Sequence, residues 1–269
     1  MKKIFFAIFL CLLTFKANAI EEISLPKEEN LQSEQTKEEN KIFSLQVIED
    51  SPYLFGDVFG IRSSLEEEGV NIQSSYIINS FVMSNRSNRS TKGTYTGLFT
   101  LSAELDSEKM DLYKGGKLFI SYQIGNSGYN AINFLNSYSD INSYDSPRSI
   151  NQLSELYYEH SFKDDLFNLK IGKQDANVDF QALDTGFNFL NLSFSFIPNT
   201  PMPLFPSQQM GVRARLKLPK DFYIQNGFYD GNLGIGSNPK SFFTGENDYF
   251  NITEGYKLTN INNKPGKYL

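Results

Sequence analysis

The sequence predicts an all-β fold, a transmembrane antiparallel up-and-down β-barrel, on three observations. Apolar and polar residues alternate in runs of roughly 9 to 11, the length a tilted membrane strand needs. The connections between those runs alternate between short and long. Downstream of an apolar leader, no apolar run reaches the roughly 17–25 residues of a membrane helix.

The leader comes first. Lys2 and Lys3 precede a mostly apolar run over 4–15, and Ala17-Asn18-Ala19 has the small-x-small pattern of a cleavage site. Residues 1–19 therefore read as a signal peptide removed on export. Cys11, the only cysteine, lies inside it, so the mature chain has no disulfide framework and no thiolate metal site. Neither a metal nor a cofactor is expected. The formal charge of −6 becomes −9 once Lys2, Lys3 and Lys16 are gone, and residues 21–50 hold nine acidic and three basic side chains. Residues 20–52 read as an acidic, solvated linker. No basic stripe supports a nucleic-acid partner.

Residues 53–69 read as a short amphipathic helix leading into the sheet. Asp57 is placed to cap it, Ile61 and Leu65 recur at helical spacing, and Gly69 supplies the stop. Residues 70–269 then read as an incomplete barrel wall of about eight strands: 70–82, 94–105, 117–125, 155–162, 166–174, 210–218, 222–229 and 249–258. A ninth is expected to begin at Tyr268. The clearest pair is 210–218 with 222–229, joined by Pro219-Lys220-Asp221, a connection short enough to force an antiparallel hairpin. Met210, Val212, Ala214, Leu216 and Leu218 fall on one face, and Gly211, Arg213, Arg215 and Lys217 on the other. The fifth strand repeats the rule, with Phe167, Leu169 and Ile171 opposed to Asn168, Lys170 and Gly172.

A soluble sandwich and a membrane barrel both satisfy such a hairpin. The connections separate them. Those over 106–116, 163–165, 219–221 and 259–266 are short, those over 126–154, 175–209 and 230–248 are long, and 83–93 is intermediate. Sorting tight turns to one side and long loops to the other suits a meander built across a membrane. The loop over 175–209 carries Phe180, Leu183, Phe187, Phe189, Leu190, Leu192, Phe194, Phe196 and Ile197, with four prolines at its exit. Such a loop is too long for an ordinary connection and too apolar to stay in water, so it is expected to fold back into a wide barrel and narrow it.

With these elements the sequence resembles the OprB-type carbohydrate-selective porins of Gram-negative bacteria. Gly56, Asp57, Gly60 and Arg62 are similar to the family's Gly-Asp-Trp-Gly-Gly-x-Arg opening, with Val58-Phe59 in place of Trp-Gly. Glu155, Leu156, Glu159, Ser161 and Phe162 resemble its Glu-Leu-x-x-Glu-x-Ser-Phe strand. Gly211-Val212-Arg213 after the proline-rich loop, and Tyr229-Asp230-Gly231-Asn232, resemble the segment beyond its constriction. The resemblance runs from about Leu54 to Asn263. It implies an outer-membrane barrel of sixteen strands in contact with lipid, a homotrimer when complete, admitting small carbohydrates past charged side chains. About the first half of such a barrel is present, so the chain is expected to be an N-terminal portion, inactive until other strands complete the wall.

On this reading Arg213 and Arg215 are donors to sugar hydroxyls, Glu155 and Glu159 acceptors, and Tyr157, Tyr223 and Tyr229 faces along which rings slide. Lys170 and Lys217 line the same water-filled side. An enzyme is disfavoured. Glu155 and Glu159 lie four strand residues apart, about 13 Å, beyond the roughly 5–9.5 Å used by glycosidase carboxylate pairs. His160, the only histidine, falls on the apolar side, so no triad can be built. The remaining alternative is a secreted, soluble β-rich module that binds sugars or acts as an adhesin.

Overall fold

Strand pairing accounts for most of the described chain. The computed structural model describes residues 57, 60–85, 89–127, 134–135, 150–180, 202–231, 249–261 and 264–268. The leader, the acidic stretch and residues 181–201 of the long loop lie outside the described residues.

Nine strands follow in order: β1 (Val70–Asn85), β2 (Ser90–Asp106), β3 (Gly116–Ser127), β4 (Ile150–Phe162), β5 (Phe167–Gln174), β6 (Gln209–Leu218), β7 (Phe222–Asp230), β8 (Tyr249–Ile261) and β9 (Lys264–Tyr268). Each pairs antiparallel with its neighbour in sequence, in the order β1 to β9 without a crossover. This is an up-and-down meander. The eight strands expected from alternation are all present, most of them longer, and β9 begins at Lys264 rather than Tyr268. Among the described residues no pairing joins β1 to β9, and no helix is long and apolar enough to cross a membrane.

Connections 107–115, 163–166, 219–221 and 262–263 lie at one end of the sheet, and 128–149, 175–208 and 231–248 at the other. The connection between β1 and β2 falls at the same end as the long loops although it is short, since the two strands stay paired as far as Asn85 and Ser90. Several tight turns need left-handed backbone. Lys163, Asp164 and Asp165 have φ of 50°, 54° and 68°, a region that short polar residues tolerate better than branched ones. At Gly115 (φ 79°) a Cβ would stand 2.3 Å from the Ser161 carbonyl oxygen, so only glycine lets that turn close on β4.

A helix, α1 (Ile61–Glu67), precedes β1. Its N-cap is Gly60 rather than Asp57. Asp57 still serves the helix end from three residues upstream, accepting from Ser63 N and Ser63 Oγ at 2.8 Å each. Those bonds hold its carboxyl below the usual range. Gly69 (φ 84°) ends the turn and its carbonyl accepts from Asp106 N at 2.8 Å, which fixes the helix to the start of the sheet.

The two faces of the sheet reverse the soluble pattern. On β7 exposed and half-buried residues (Phe222, Ile224, Asn226, Phe228) alternate with buried ones (Tyr223, Gln225, Gly227, Tyr229). Following the register outward from these positions, Val212, Leu216, Ile171, Phe167, Ile124, Ile120 and Leu118 share the exposed face, with Ile171 48% exposed. Gln225, Arg213, Lys170, Asn168, Ser121 and Thr96 share the buried one, with Arg213 only 1% exposed. The nine strands form one sheet, so among the described residues no second sheet covers the apolar face, as a sandwich would require.

A β-bulge keeps this sorting intact on β4. Ser121 pairs with Glu155 but Tyr122 with Leu153, leaving Ser154 as the extra residue. The slip turns Leu153 outward and Gln152 inward. Ser154 Oγ seals the bulge by donating to the Ser121 carbonyl at 3.0 Å.

Candidate functional site

Cross-strand pairing sets Glu159 (β4), Lys170 (β5) and Arg213 (β6) side by side on the inner face. The next row toward the tight turns is Ser161, Asn168, Arg215, Gln225 and Glu254. Three cations within two adjacent rows need counter-charges when water is scarce. Part of the balance comes from the start of the long loop. After β5 the chain makes one helical turn, α2 (Ala176–Asp179), whose N-cap Asp175 accepts from Asn177 N at 2.9 Å.

That turn carries Asp179 over the row. Its Oδ2 accepts from Lys170 Nζ at 2.7 Å, and its Oδ1 lies 3.1 Å from Arg213 Nη2. The same Nη2 reaches Glu159 Oε1 at 3.1 Å, and Arg213 Nη1 donates to Asn168 Oδ1. Gln225 Nε2 holds the Asp179 carbonyl at 2.7 Å and Glu254 Oε1 at 3.2 Å, so α2 is pinned to β7 and β8 as well. Two cations and two carboxylates thus form one compensated cluster. Phe180 closes the turn by packing edge-on against Tyr229 (6.4 Å between centroids), with Phe250 and Ile252 beneath. Gly227 leaves the room for this, since a Cβ there would meet the Phe180 and Tyr229 rings at 2.8 and 2.5 Å.

One carboxylate ties both ends of the loop. Asp175 Oδ2 accepts from Phe205 N at 3.1 Å, while Ala176 N donates to the Pro203 carbonyl at 2.8 Å. Asp175 N in turn donates to Glu155 Oε1 at 3.2 Å, and Gln152 Nε2 holds the Pro206 carbonyl at 2.9 Å. Burial pushes the Asp175 carboxyl up to about 6 despite these donors.

Toward the tight turns the inner face opens into a cleft of about 320 Å³ lined by Glu104, Asp106, Lys117, Glu159 and Arg215 among others. Arg215 Nη2 grips both oxygens of Asp165 at 3.0 and 3.1 Å, and Lys117 pairs with Glu104 at 2.8 Å. Among the described residues no group of three or more His, Cys, Asp or Glu is placed to hold a metal.

The candidates named from sequence all fall on this inner face, in different states. Arg213 and Lys170 are buried and engaged with Asp179. Glu155 serves the loop base. Arg215, Glu159 and Lys217 keep part of their surface open. Tyr157 stacks on Phe119 at 5.0 Å with Lys170 Nζ 4.5 Å from its ring centre. Tyr223 is nearly buried, stacked on Tyr256 at 5.0 Å beneath Lys217, and Tyr229 is fully enclosed. Tyr229 therefore offers no ring face to a solute. Asn168, which alternation put on the polar face without a role, and Asp165, Asp175 and Asp179, which alternation did not flag, complete the network. The signal for two of them was present: an Asp directly after a strand, with a second acid four residues on, is the signature of a capped turn that presents a carboxylate.

Comparison with known proteins gives the same fold. The family model described as "Carbohydrate-selective porin, OprB family" matches residues 90–266. No curated protein matches. Among solved structures, the high-pH structure of Pseudomonas putida OprB superposes with a TM-score of 0.71 at 19% identity, over 81% of this chain and 55% of that one. The low-pH structure of the same protein gives 0.50 at 18% identity, over 81% and 59%. The chain thus spans a little over half the length of the solved structures it matches.

The loop base yields a pH test. Because the folded Asp175 carboxyl is harder to ionise than an exposed one at 3.8, its contribution is fully present below about pH 4 and is lost as pH rises through about 6. Hydrogen exchange at the Asn177 and Phe205 amides, corrected for intrinsic rates, is expected to speed up across that window by at most about a hundredfold. Asp175→Asn, which keeps one oxygen acceptor, should flatten the dependence. Slower opening at higher pH would contradict this assignment.

Proposed function

The chain belongs to the carbohydrate-selective porin OprB family, and from that premise we propose that it forms part of the wall of an outer-membrane channel for passive diffusion of small sugars. The family is one of transport channels, not of enzymes, and its members reside in the outer membrane of Gram-negative bacteria. The observation that carries the sugar reading is the pairing of opposite charges across the inner face: Lys170 and Arg213 with Glu159 and Asp179, Arg215 with Asp165, and Lys117 with Glu104.

Charges that alternate in sign over a few ångströms produce a field that decays quickly, so such a surface offers little to a net ion. It offers much to a neutral polyol, whose hydroxyls need donors and acceptors side by side. On this reading Arg215, Lys217, Glu159 and Tyr157 meet the solute, while Arg213, Lys170, Glu155, Tyr223 and Tyr229 shape the passage behind them. Residues 1–19 act as the export leader, 20–52 as a linker and 70–269 as wall, with further strands closing the barrel. The outward row of β3, β5, β6 and β7 meets acyl chains.

Two measurements on protein purified from cells expressing the complete gene test this reading. Proteoliposomes should swell faster in a neutral hexose than in an amino-acid cation or an organic anion of similar size; equal rates for all three would overturn the sugar assignment. Asp179→Asn removes one carboxylate from beside two cations. In a salt gradient its reversal potential is expected to move toward anion preference, with a severalfold fall in the cation-to-anion permeability ratio. An unchanged ratio would remove Asp179 from the conducting path.

A further inference from the structure

Toward the tight turns the balance of charge on the inner face changes. Asp106 (β2), Lys117 (β3) and Glu159 (β4) stand in one cross-strand row that continues into Lys170 and Arg213. Glu159 gives its carboxylate to Arg213, and Lys117 turns to Glu104, two residues along β2, at 2.8 Å. Among the described residues Asp106 and Glu108 form no ion pair. Asp106 is nonetheless held in place, because its Oδ1 accepts from Glu108 N at 3.0 Å and from Lys109 N at 3.2 Å. Lys109 sends its own Nζ to the Glu66 carbonyl instead. In the cleft of about 320 Å³, four carboxylates (Glu104, Asp106, Glu108 and Glu159) therefore face two cations (Lys117 and Arg215). Adding the partners outside it, Arg213 for Glu159 and Asp165 for Arg215, leaves the same excess of two negative charges.

The cleft also keeps hydrogen-bond donors in reserve. The Lys117 ammonium has three and gives one to Glu104. Arg215 binds Asp165 through Nη2, and its buried Nε has no acceptor among the described residues. The volume lies at the lower end of the roughly 300–1,000 Å³ of small-molecule sites, which suits one sugar ring rather than a chain of them. A neutral hexose would answer the donors and leave the surplus carboxylates uncompensated. A plain alkylammonium ion would answer the carboxylates and leave the donors of Lys117 and Arg215 to water alone. The solute that suits the whole lining carries several hydroxyls and one positive charge. We infer that this cleft is a subsite for one ring of a protonated amino sugar, its ammonium held by Asp106 and Glu108 and its hydroxyls by Lys117, Arg215 and Glu159. The inference rests on the sugar reading and narrows it to a solute class at a place on the tight-turn side of the compensated cluster.

The test uses the complete protein in planar bilayers, with each variant checked for retained folded mobility on unheated gels. At constant chloride and a pH at which the amine is protonated, glucosamine should halve the ion current at a concentration about fivefold lower than glucose or N-acetylglucosamine, as expected of one ion pair in an open site. Glu108→Gln, a change on an exposed side chain, and Asp106→Asn, which keeps the oxygen that caps the turn, should each bring that ratio toward one. Glu67→Gln on α1, outside the cleft, should leave it unchanged. An unchanged ratio in both cleft variants would overturn the subsite. Block by tetramethylammonium as strong as by glucosamine would overturn it as a site for a sugar. Equal block by glucosamine and glucose, with hexoses still permeating, would remove the subsite and leave the sugar reading standing; exclusion of every sugar would remove both.

Discussion

A backbone amide set in hydrocarbon has no water to turn to, so every N–H and C=O of a membrane strand must find its partner on the next strand. That constraint organises this chain. It requires neighbours in sequence to be neighbours in space, which the unbroken β1 to β9 order supplies. It also locks the register, because a one-residue slip would exchange the hydrocarbon face for the charged one along a whole strand. The single slip that occurs, at Ser154 on β4, is sealed by its own hydroxyl and restores the sorting instead of breaking it.

With the outer face given to apolar side chains, the polar groups gather inside, and their mutual spacing becomes an electrostatic problem. Lys170 and Arg213 sit on adjacent strands with little exposure. Left alone they would repel and lose hydration; with Glu159 on the wall and Asp179 on the loop they form a closed network. Removing one member of such a network costs more than its pairwise attraction, because the remaining charge is left buried. The start of the loop is thus part of the wall's charge balance. Asp175, holding both ends of the loop, transmits position rather than contact.

Much of this was legible in the residues. Met210 to Leu218 states its two faces outright, and the sorting of connections placed the three long loops at one end, with only the short β1–β2 connection beside them. What escaped has physical causes. The bulge at Ser154 reverses the parity of β4, so alternation read from Glu155 onward misses residues 150–154. β8 alternates cleanly, but alternation does not say which side is which, and Phe250 and Ile252 point inward because Phe180 needs cover. Tyr229 reads as a ring on the wet face, and it is; only the fold of α2 over it shows that no solute reaches it. Asp179 belongs to a loop by sequence and to the charge cluster by geometry.

The central claim is that the exposed apolar row faces acyl chains. Nitroxide labels at Ile171, Val212 and Leu216, with Lys217 as the inner-face reference, measure it directly in reconstituted bilayers through collision with dissolved oxygen and with a water-soluble nickel complex. The account predicts that oxygen dominates at the first three and nickel at Lys217. Shielding of Ile171, Val212 and Leu216 from both reagents, as by a covering protein layer, or dominance of nickel at all four, would contradict it.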